Sequence, residues 1–443
     1  MNKNKSVAVI DVGSSKITTL IGQLSETNDK INVVGASSVP STGLRKGQIV
    51  NIEEATDGII KSVEASERMA GFSLSKIFVS VGGAHIGSQN SHGVVAVANP
   101  EGEITPEDIT RVIEAARAIS LPSSREILHV IPRTYTVDSQ DGVADPVGMS
   151  GVRLEVETHI VTGSTTAIKN LTKCVSEVGA DIESLVFSGI ASAEAVLTDT
   201  DKELGVVLVD IGGGTTSIVV FVEGSPSYTS VLPIGAKNVT NDLAIGLRLS
   251  LEGAEKLKVA LSKKDKEAVD KTVNKEEEIE GDKKEEKEEK EKEDEIDLGR
   301  MGIHEETRKV SRKTIIEGII KPRLNEIFGM VAVEIQKSGF AGLTPSGIVI
   351  CGGGALTVGA TDACRRTLSL PTRVGIPDRV SGLVDDILDP AYSSAVGLLI
   401  HGSKTGGFSS KGVSVPGFGK IARKLPVKGA AGKLFSFIKS FLP

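Results

Sequence analysis

The stretch GVVLVDIGGGTTSIVVFVEG, residues 205–224, decides the fold class, because an apolar β-rich run ends in an aspartate and three glycines before a second apolar run begins. The same pattern occurs near the N-terminus, in VAVIDVGSSKITTLIG, residues 7–22. Each stretch predicts a strand, a glycine turn and a returning strand. A hairpin used twice indicates two related lobes that face a common cleft.

The turns of both hairpins are suited to binding phosphate. Glycines let backbone N–H groups approach phosphate oxygens, and a carboxylate at a strand end can organise Mg²⁺ through water. We therefore expect Asp11 and Asp210 to serve as metal ligands. The candidate phosphate-binding residues are Asp11, Gly13, Ser14, Ser15 and Lys16 in the first turn, and Asp210, Gly212, Gly213, Gly214, Thr215 and Thr216 in the second.

A third glycine run completes a possible nucleotide site. The segment VICGGGALTVGA, residues 349–360, predicts a strand that runs into Gly352, Gly353, Gly354 and Ala355, where a flat adenosine could lie against backbone. Each glycine turn alone is equally consistent with an ordinary hairpin. Their joint occurrence favours a site for a nucleoside triphosphate and its metal.

Composition excludes several classes of protein. With 443 residues, 49 of them glycine, and 39% hydrophobic residues, the chain can form several folded domains. The cysteines Cys174, Cys351 and Cys364 show neither metal-ligand spacing nor an even-numbered disulfide framework, which indicates a reducing cytoplasm. No apolar run reaches the roughly 18 residues of a membrane span, so we expect neither secretion nor a transmembrane helix.

Charge is unevenly distributed along the chain. Residues 263–297 carry 10 Lys and 17 Asp or Glu. Within them, residues 275–297 have almost no apolar residue, which predicts a solvated loop or a single charged helix, with an electrostatic interaction arm as the alternative. Residues 411–443 carry 7 Lys or Arg and no acid. A basic end on an acidic body indicates an anionic partner, either a membrane surface or nucleic acid.

The last residues, AGKLFSFIKSFLP, favour the membrane. On a helical wheel, six apolar residues share one face. A glycine-rich, basic linker, residues 402–432, precedes this helix and separates it from the folded body, so docking on the protein's own core is the weaker alternative. We therefore expect no nucleic acid partner, and we expect anionic lipid to contact Leu434, Phe435, Phe437, Ile438, Phe441 and Leu442.

Local signals place several helices. PEDITRVIEAARAI, residues 106–119, has helical periodicity with Thr105 as its N-cap. In residues 232–247 the candidate N-caps are Thr240, Asn241 and Asp242. Residues 309–339 form a long helical pattern that we expect to be kinked near Pro322.

The order DxGxxK, DxGGGTT, GGGA resembles the superfamily of actin, sugar kinases and DnaK-type chaperones. SGIASAEAVL (188–197) and AYSSAVGL (391–398) look like the two helices that cross between the lobes of these proteins. AEKLKVALS (254–262) looks like the segment that contacts ribose and adenine, which implies nucleotide contacts for Glu255 and Lys258; an exposed helix face is the alternative. The resemblance implies ATP and Mg²⁺ as cofactors.

Within this superfamily, four strings resemble the FtsA family of bacterial cell-division proteins: residues 79–97, 103–119, 129–163 and 232–247. The resemblance covers nearly the whole chain. It implies an α/β, actin-like (ribonuclease H-like) fold with an inserted α/β (SHS2-type) subdomain. The expected parts are a first lobe of residues 1–84, 163–195 and 376–401, the insert 85–162, a second lobe 196–375 with a disordered charged insertion 263–300, the linker 402–432, and the membrane-targeting helix 433–443.

This resemblance also implies a function. Family members polymerise head to tail on the cytoplasmic face of the cell membrane at the division site, hold the ring of the tubulin-like protein FtsZ there, and recruit later division proteins. The acidic C-terminal peptide of FtsZ would dock on the outer second lobe, for which the sequence offers Arg308, Lys309, Arg312, Lys313 and Arg323. A plain solvated helix face is an equally good interpretation of each of these residues.

One departure concerns hydrolysis. Where chaperones carry Glu and actin carries Gln near the start of the first crossing helix, this chain has Ser188 and Gly189, and the nearest acid is Glu194. We therefore expect at most a slow ATPase, with Asp210 as the remaining catalytic candidate. A small-molecule kinase and a pilus-assembly adaptor of similar fold are the rival interpretations, and neither explains the apolar terminal face.

Overall fold

The computed structural model describes residues 6–25, 28–99, 102–273, 294–303, 309–383 and 387–405. Three large sheets, of six, five and four strands, organise these residues. The two predicted hairpins lie in different sheets, one in the six-stranded and one in the five-stranded sheet. They therefore belong to two separate lobes.

The six-stranded sheet of the first lobe is covered on both faces. Its order is β11 (Asp181–Phe187), β6 (Lys76–Val81), β1 (Ser6–Val12), β2 (Lys16–Ser25), β3 (Asn28–Pro40) and β19 (Val380–Gly382). Helix α1 (Ile52–Ala70) packs on one face, where the hydroxyls of Thr19 and Ser62 lie 2.8 Å apart. Helix α11 (Ser393–Lys404) packs on the other face, next to Gly22. Coverage on both faces explains why β1 reads as a continuous apolar run.

The second lobe repeats this arrangement on a smaller sheet. Its strand order is β14 (Ser225–Leu232), β13 (Thr216–Val222), β12 (Val206–Ile211), β17 (Ile348–Cys351) and β18 (Thr372–Val374). The surrounding helices are α5 (Asp199–Leu204), α6 (Ala236–Leu247), α7 (Leu251–Val273), α8 (Arg312–Ile315), α9 (Lys321–Lys337) and α10 (Ala360–Leu368). A π-helical turn, Ile316–Ile320, joins α8 to α9 just before Pro322. Proline lacks an amide donor, and a widened turn is one way to accommodate that loss.

Helices α4 (Ser188–Val196) and α11 cross at backbone distance. A β-carbon at Gly397 would lie 1.7 Å from the carbonyl oxygen of Ala191. No larger residue fits at position 397 unless the helices separate. The small residues of the two predicted crossing helices thus set the distance between them.

The insert forms the four-stranded sheet. Its order is β7 (Gly87–Ala96), β10 (Arg153–Ser164), β8 (Arg125–Val137) and β9 (Gln140–Val143), with α2 (Pro106–Arg117) packed against β7. Helix α3 (Thr165–Ser176) follows and returns the chain to the first lobe. Thr105 is the N-cap of α2 in a capping box with Asp108, which confirms the prediction from sequence.

A polar seam joins the insert to edge strand β14 of the second lobe. The hydroxyl of Ser88 donates to the carbonyl oxygen of Thr229 (2.8 Å), and the Thr229 amide donates back to that hydroxyl (3.0 Å). Asn90 donates to the carbonyl oxygen of Ser227 at 3.1 Å. The buried ring of His159 bridges Asn90 Oδ1 (2.7 Å) and Thr229 Oγ1 (3.2 Å). Side chains of the insert therefore form hydrogen bonds with backbone groups of the second lobe.

The structure describes both ends of the predicted charged insertion, residues 263–300. Helix α7 continues to Val273, and strand β15 (Glu295–Asp297) pairs with β16 (Lys309–Ser311). Ile296 and Leu298 are buried in the core of the second lobe. Charge density does not predict that these two apolar residues are buried, because acidic and basic residues surround them in the sequence. Their burial attaches the end of the segment to the second lobe.

Among the described residues, no helix is long and apolar enough to cross a membrane. The predicted linker from residue 406 onward and the whole helix 433–443 lie outside the described residues.

Candidate functional site

The two hairpins have the same geometry. Asp11 pairs with Thr18 near the end of β1, and Asp210 pairs with Ser217 near the end of β12. In the first turn the Gly13 amide donates to the carbonyl of Lys16 at 3.1 Å, and in the second the Gly212 amide donates to the carbonyl of Thr215 at 2.9 Å. The duplication predicted from sequence is therefore present in three dimensions. A short hairpin, β4 (Leu44–Arg45) and β5 (Gln48–Ile49), closes on the first turn, where the Gly47 amide donates to Ser14 Oγ at 2.8 Å.

Both turns open onto one cavity of about 370 Å³ between the lobes. The third glycine run and the start of α7 complete its wall. Fourteen of the predicted nucleotide-binding residues line it: Asp11, Gly13, Ser14, Ser15, Lys16, Asp210, Gly212, Gly213, Thr215, Glu255, Lys258, Gly352, Gly353 and Gly354.

Hydroxyl groups fix both aspartates. Asp11 Oδ1 accepts hydrogen bonds from Ser80 (2.6 Å) and Ser394 (2.9 Å), and Asp210 Oδ2 accepts one from Ser192 (2.6 Å). Burial raises the pKa of Asp210 to about 6; the Ser192 hydrogen bond opposes this shift and the charge of Asp11 adds to it. A buried carboxyl group whose pKa is raised by burial and by a second carboxylate is the electrostatic situation that a divalent metal relieves.

Lys16 lies in the same wall. Burial lowers the pKa of Lys16 to about 8, whereas the nearby charges of Asp11 and Asp389 act to raise it. Its ammonium lies 3.0 Å from the centre of the Tyr392 ring. The protein thus holds this cation against its own aromatic ring and acidic groups.

Two glycines of the third turn have no room for a side chain. Gly352 has φ +79°, and a β-carbon there would lie 2.2 Å from Asp210 Oδ1. At Gly354 a β-carbon would lie 2.3 Å from Cγ2 of Ile211. The turn therefore packs directly against the end of the strand that carries Asp210.

Glu255 and Lys258 of α7 form hydrogen bonds with each other and with other residues of the second lobe. The ammonium of Lys258 donates to Glu255 Oε2 (2.8 Å), Thr240 Oγ1 (2.9 Å) and the carbonyl of Ala236 (3.4 Å). All three of its donors are used. Lys258 is buried and lines the cavity, while the side chain of Glu255 is about half exposed at 48%.

Three predicted residues do not line the cavity. Gly214 packs against the side chain of Ser14, the hydroxyl of Thr216 donates to the carbonyl of Ile234 at 2.9 Å, and Ala355 is buried in the core of the second lobe. Alternate residues of a strand point to opposite faces, so Thr216 turns away where Thr215 faces the cavity. Their nucleotide contacts stay predictions that the cavity lining does not support.

Several polar residues of the cavity lining were not predicted from the sequence, and four of them lie next to the three turns. Ser80 is the second-last residue of β6, beside β1, and Ser394 is the second residue of α11; both hydroxyls donate to Asp11 Oδ1. Asp389 and Lys237 also line the cavity. Ser80, Lys237 and Ser394 lie within strings that resemble known families, residues 79–97, 232–247 and 391–398, but no local pattern marks them as cavity residues. Strand adjacency and turn geometry bring them to the site.

The structure supplies no acid at the start of the first crossing helix. Ser188 lines the cavity. Glu194 lies further along α4 and bonds to Lys202 at 3.5 Å and to Lys404, outside the cavity lining. Glu194 is therefore engaged in ion pairs away from the cleft.

The basic residues predicted for partner binding differ in availability. Arg323 contacts both carboxylate oxygens of Asp242, at 2.5 and 2.9 Å, and also contacts Glu326. Lys309 donates to Glu295 Oε2 at 2.9 Å, and the backbone amide of Lys313 donates to Asp294 Oδ1 at 2.7 Å. Arg312 begins α8, and Arg308 lies outside the described residues. Acidic residues of the same chain thus already form hydrogen bonds with Arg323, Lys309 and the backbone of Lys313.

The donor set fits a nucleotide-bound Mg²⁺. Within the described ranges, no group of three or more His, Cys, Asp or Glu side chains could hold a metal by itself. Mg²⁺ commonly uses one or two carboxylates together with phosphate oxygens and water. Asp11 and Asp210 supply such carboxylates, and the backbone of Gly352, Gly353 and Gly354 lines the cavity beside them.

Comparison with protein families assigns most of the chain. A model described as "Cell division protein FtsA" matches residues 207–397, and one described as "SHS2 domain inserted in FTSA" matches residues 83–162. The relative named Cell division protein FtsA from Pseudomonas aeruginosa is 37% identical over 428 residues, covering 96% of each chain. The Bacillus subtilis protein of that name is 36% identical over 400 residues, covering 90% of this chain and 84% of the relative.

Solved structures agree on the fold. The PilM–PilN type IV pilus biogenesis complex matches with a TM-score of 0.59 at 16% identity, covering 89% of this chain and 98% of that chain. MreB5 of Spiroplasma citri bound to ADP matches with a TM-score of 0.50 at 12% identity, covering 91% and 98%. These likenesses, with the matched insert, confirm the predicted actin-like α/β fold carrying an SHS2 subdomain.

Proposed function

This chain belongs to the FtsA family of cell division proteins, and on that basis we propose that it is an ATP-binding, polymerising scaffold that attaches the division ring to the cytoplasmic face of the cell membrane. The observation that carries the proposal is the convergence of two duplicated Asp-glycine turns and a third glycine turn on one interlobe cavity of about 370 Å³. Such a cavity can hold a drug-sized or nucleotide-sized ligand.

ATP with Mg²⁺ is the proposed ligand. Asp11 and Asp210 would hold the metal, Lys16 and the glycine turns would contact phosphates, and the third turn would face the nucleoside. MreB5 structures of the same fold were solved with ADP and with AMPPNP. Hydrolysis is proposed to be slow, because Ser188 stands in the cavity where a water-orienting acid or amide would be expected and Glu194 is paired elsewhere.

Membrane attachment is assigned to the C-terminal helix, residues 433–443. Each large apolar side chain contributes about 1.5–3 kcal/mol when fully buried, but interfacial burial is partial and the helix must be ordered on binding. One tail should therefore bind weakly and reversibly. A polymer presents many tails at once and gains avidity without new contacts, so polymerisation would control membrane residence.

The proposed partners are a second copy of the chain, the acidic C-terminal peptide of FtsZ, later division proteins and anionic lipid. An acidic peptide on the outer second lobe would meet Lys309, Arg312 and Lys313 near the surface. To reach Arg323 it would have to displace Asp242, which bonds that guanidinium through both carboxylate oxygens. We therefore assign Arg323 a smaller share in peptide binding than the other three.

Electron microscopy of the purified full chain on an anionic lipid monolayer tests the proposal. With Mg-ATP we expect ordered filaments on the lipid, and without nucleotide we expect few. A calorimetric titration with Mg-ATP on the same preparation separates the steps. Absence of nucleotide binding contradicts the cavity assignment, whereas binding without lipid-attached filaments contradicts the scaffold.

A further inference from the structure

A single lysine side chain connects the two lobes across the cavity. Lys237 is the second residue of α6 in the second lobe and lines the cavity wall. Its ammonium donates to the carbonyl oxygen of Ser14, in the turn of the first hairpin, at 2.7 Å. The bond therefore joins the turn of one lobe to a helix of the other.

The main chain around Lys237 is fixed to the second turn. The Lys237 amide donates to the carbonyl of Gly213 at 2.8 Å, and the Ala236 amide donates to that of Gly212 at 2.9 Å. A β-carbon at Gly235 would lie 2.5 Å from the Gly212 carbonyl oxygen, so the segments are in backbone contact. The backbone of Lys237 is thus hydrogen-bonded to the second turn, while its side chain contacts the first turn.

The charge of Lys237 is not compensated by the chain. Among the residues that the structure describes, its ammonium forms no ion pair, and its acceptor Ser14 O is a neutral carbonyl. Lys16 and Lys258, which also line the cavity, differ in this respect. Lys16 lies near Asp11 and Asp389, and Lys258 is paired with Glu255. A hydrogen bond from an ammonium to an anionic oxygen is stronger than one to a carbonyl, so an anion between the turns would displace Ser14 O.

We propose that Lys237 is a phosphate ligand that the second lobe supplies. Its ammonium exchanges the Ser14 carbonyl oxygen for the terminal phosphate of a nucleoside triphosphate. The contact between the lobes therefore depends on that phosphate. The inference rests on the proposed binding of ATP in this cavity. The two turns contact each other, since Gly213 packs on Ser15 and Gly214 packs on Ser14. Lys237 lies between them and is therefore at the phosphate end of the site. A diphosphate leaves the Ser14 bond intact.

The test compares Mg²⁺ complexes of ATP and ADP, and AMP, by calorimetry on the full chain. Lys237→Met keeps the length of the side chain and removes its charge, Lys237→Arg keeps the charge, and Lys173→Met removes an exposed charge on α3, outside the cavity. We expect Lys237→Met to reduce the ratio of ATP to ADP affinity about tenfold, the size of one charge-assisted hydrogen bond, with AMP affinity unchanged. Lys237→Arg should retain most of the preference, and Lys173→Met should match the wild type.

Three results overturn the inference. One is an unchanged ATP to ADP ratio in Lys237→Met. Another is an equal loss of affinity for all three nucleotides, because it indicates that Lys237 only supports the fold. The third is a wild-type chain that binds none of them, which overturns the proposed ATP site itself and is thereby distinguished from the first two results.

Discussion

Gly352 leaves no space between its backbone and Asp210: a β-carbon at position 352 would lie 2.2 Å from Asp210 Oδ1, and the residue has φ +79°. Gly352→Ala should therefore destabilise the chain by at least about 2 kcal/mol, from backbone strain and overpacking together. The same change should weaken Mg-ATP binding, since the carboxylate must move. Thermal unfolding and calorimetry measure the two effects.

The neighbouring glycine provides the control. A β-carbon at Gly353 would meet its nearest atom, Cβ of Ala391, at 3.7 Å, an ordinary contact. The melting temperature of Gly353→Ala should stay close to that of the wild type. Equal losses of stability in both variants would show that the turn tolerates no side chain at all, contrary to the packing described.

Asp210 should make nucleotide binding depend on pH. Its pKa is raised to about 6, so the carboxyl group becomes protonated as the pH falls through that value and no longer attracts Mg²⁺. We expect the affinity for Mg-ATP to fall between pH 7 and pH 5 in the wild type. Asp210→Asn, which preserves shape, should bind Mg-ATP weakly at every pH and lose this dependence. A wild-type affinity that stays constant over the range argues against Asp210 as a metal ligand.

The buried ring of His159 should reduce stability in mild acid. Burial lowers the pKa of His159 to about 3, and the charge of Arg133 and the proximity of His129 contribute to this shift. The unfolded chain, with an ordinary histidine pKa near 6.5, therefore takes up a proton that the folded chain refuses, so stability falls as the pH decreases from about 6.5 towards 3. Between pH 6.5 and pH 5 the loss is about 2 kcal/mol.

His159→Gln removes the titration while keeping polar atoms for Asn90 and Thr229. Urea unfolding at pH 7 and pH 5 should show a smaller fall of the midpoint in the variant than in the wild type. If both chains lose the same stability, protonation of His159 is not what weakens the seam.

The C-terminal helix provides a matched pair of variants. Phe437→Glu combined with Phe441→Glu places carboxylates on the apolar face, where they are costly against acyl chains, and should release the chain from vesicles while nucleotide binding persists. Lys433→Glu changes the polar face and should weaken binding modestly, mainly on anionic lipid. Vesicle flotation at low and high salt compares them. Wild-type flotation of the double variant would mean that the helix is not the anchor.

Sequence patterns predicted the elements whose chemistry is local. Both Asp-glycine hairpins, the third glycine turn and the Thr105 cap follow from residue type and spacing, and all are present. The start of α6 was predicted wrongly, at Thr240, Asn241 or Asp242, whereas the N-cap is Gly235. Two of those polar side chains have tertiary partners instead: Thr240 bonds to Lys258, and Asp242 bonds to Arg323.

Local sequence patterns did not predict the site residues whose contacts join segments far apart in the sequence. The contact of Lys237 with Ser14 spans 223 positions, and the bond of Ser394 to Asp11 spans 383. Neither follows from periodicity, because each depends on how two lobes meet. The seam between insert and β14 has the same origin, since Ser88 and Thr229 are unremarkable polar residues in their own strands.

The parallel pairing of Ile31 with Val380 sets an order of assembly during synthesis. Strand β3 leaves the ribosome about 350 residues before its neighbour β19, an interval of about 20–70 s at roughly 5–20 residues per second. All strands of the second lobe emerge within that interval, so its sheet can close first. Until β19 arrives, β3 presents an unpaired edge that a nascent chain must keep from pairing with other chains, and the lobe begun first is completed last.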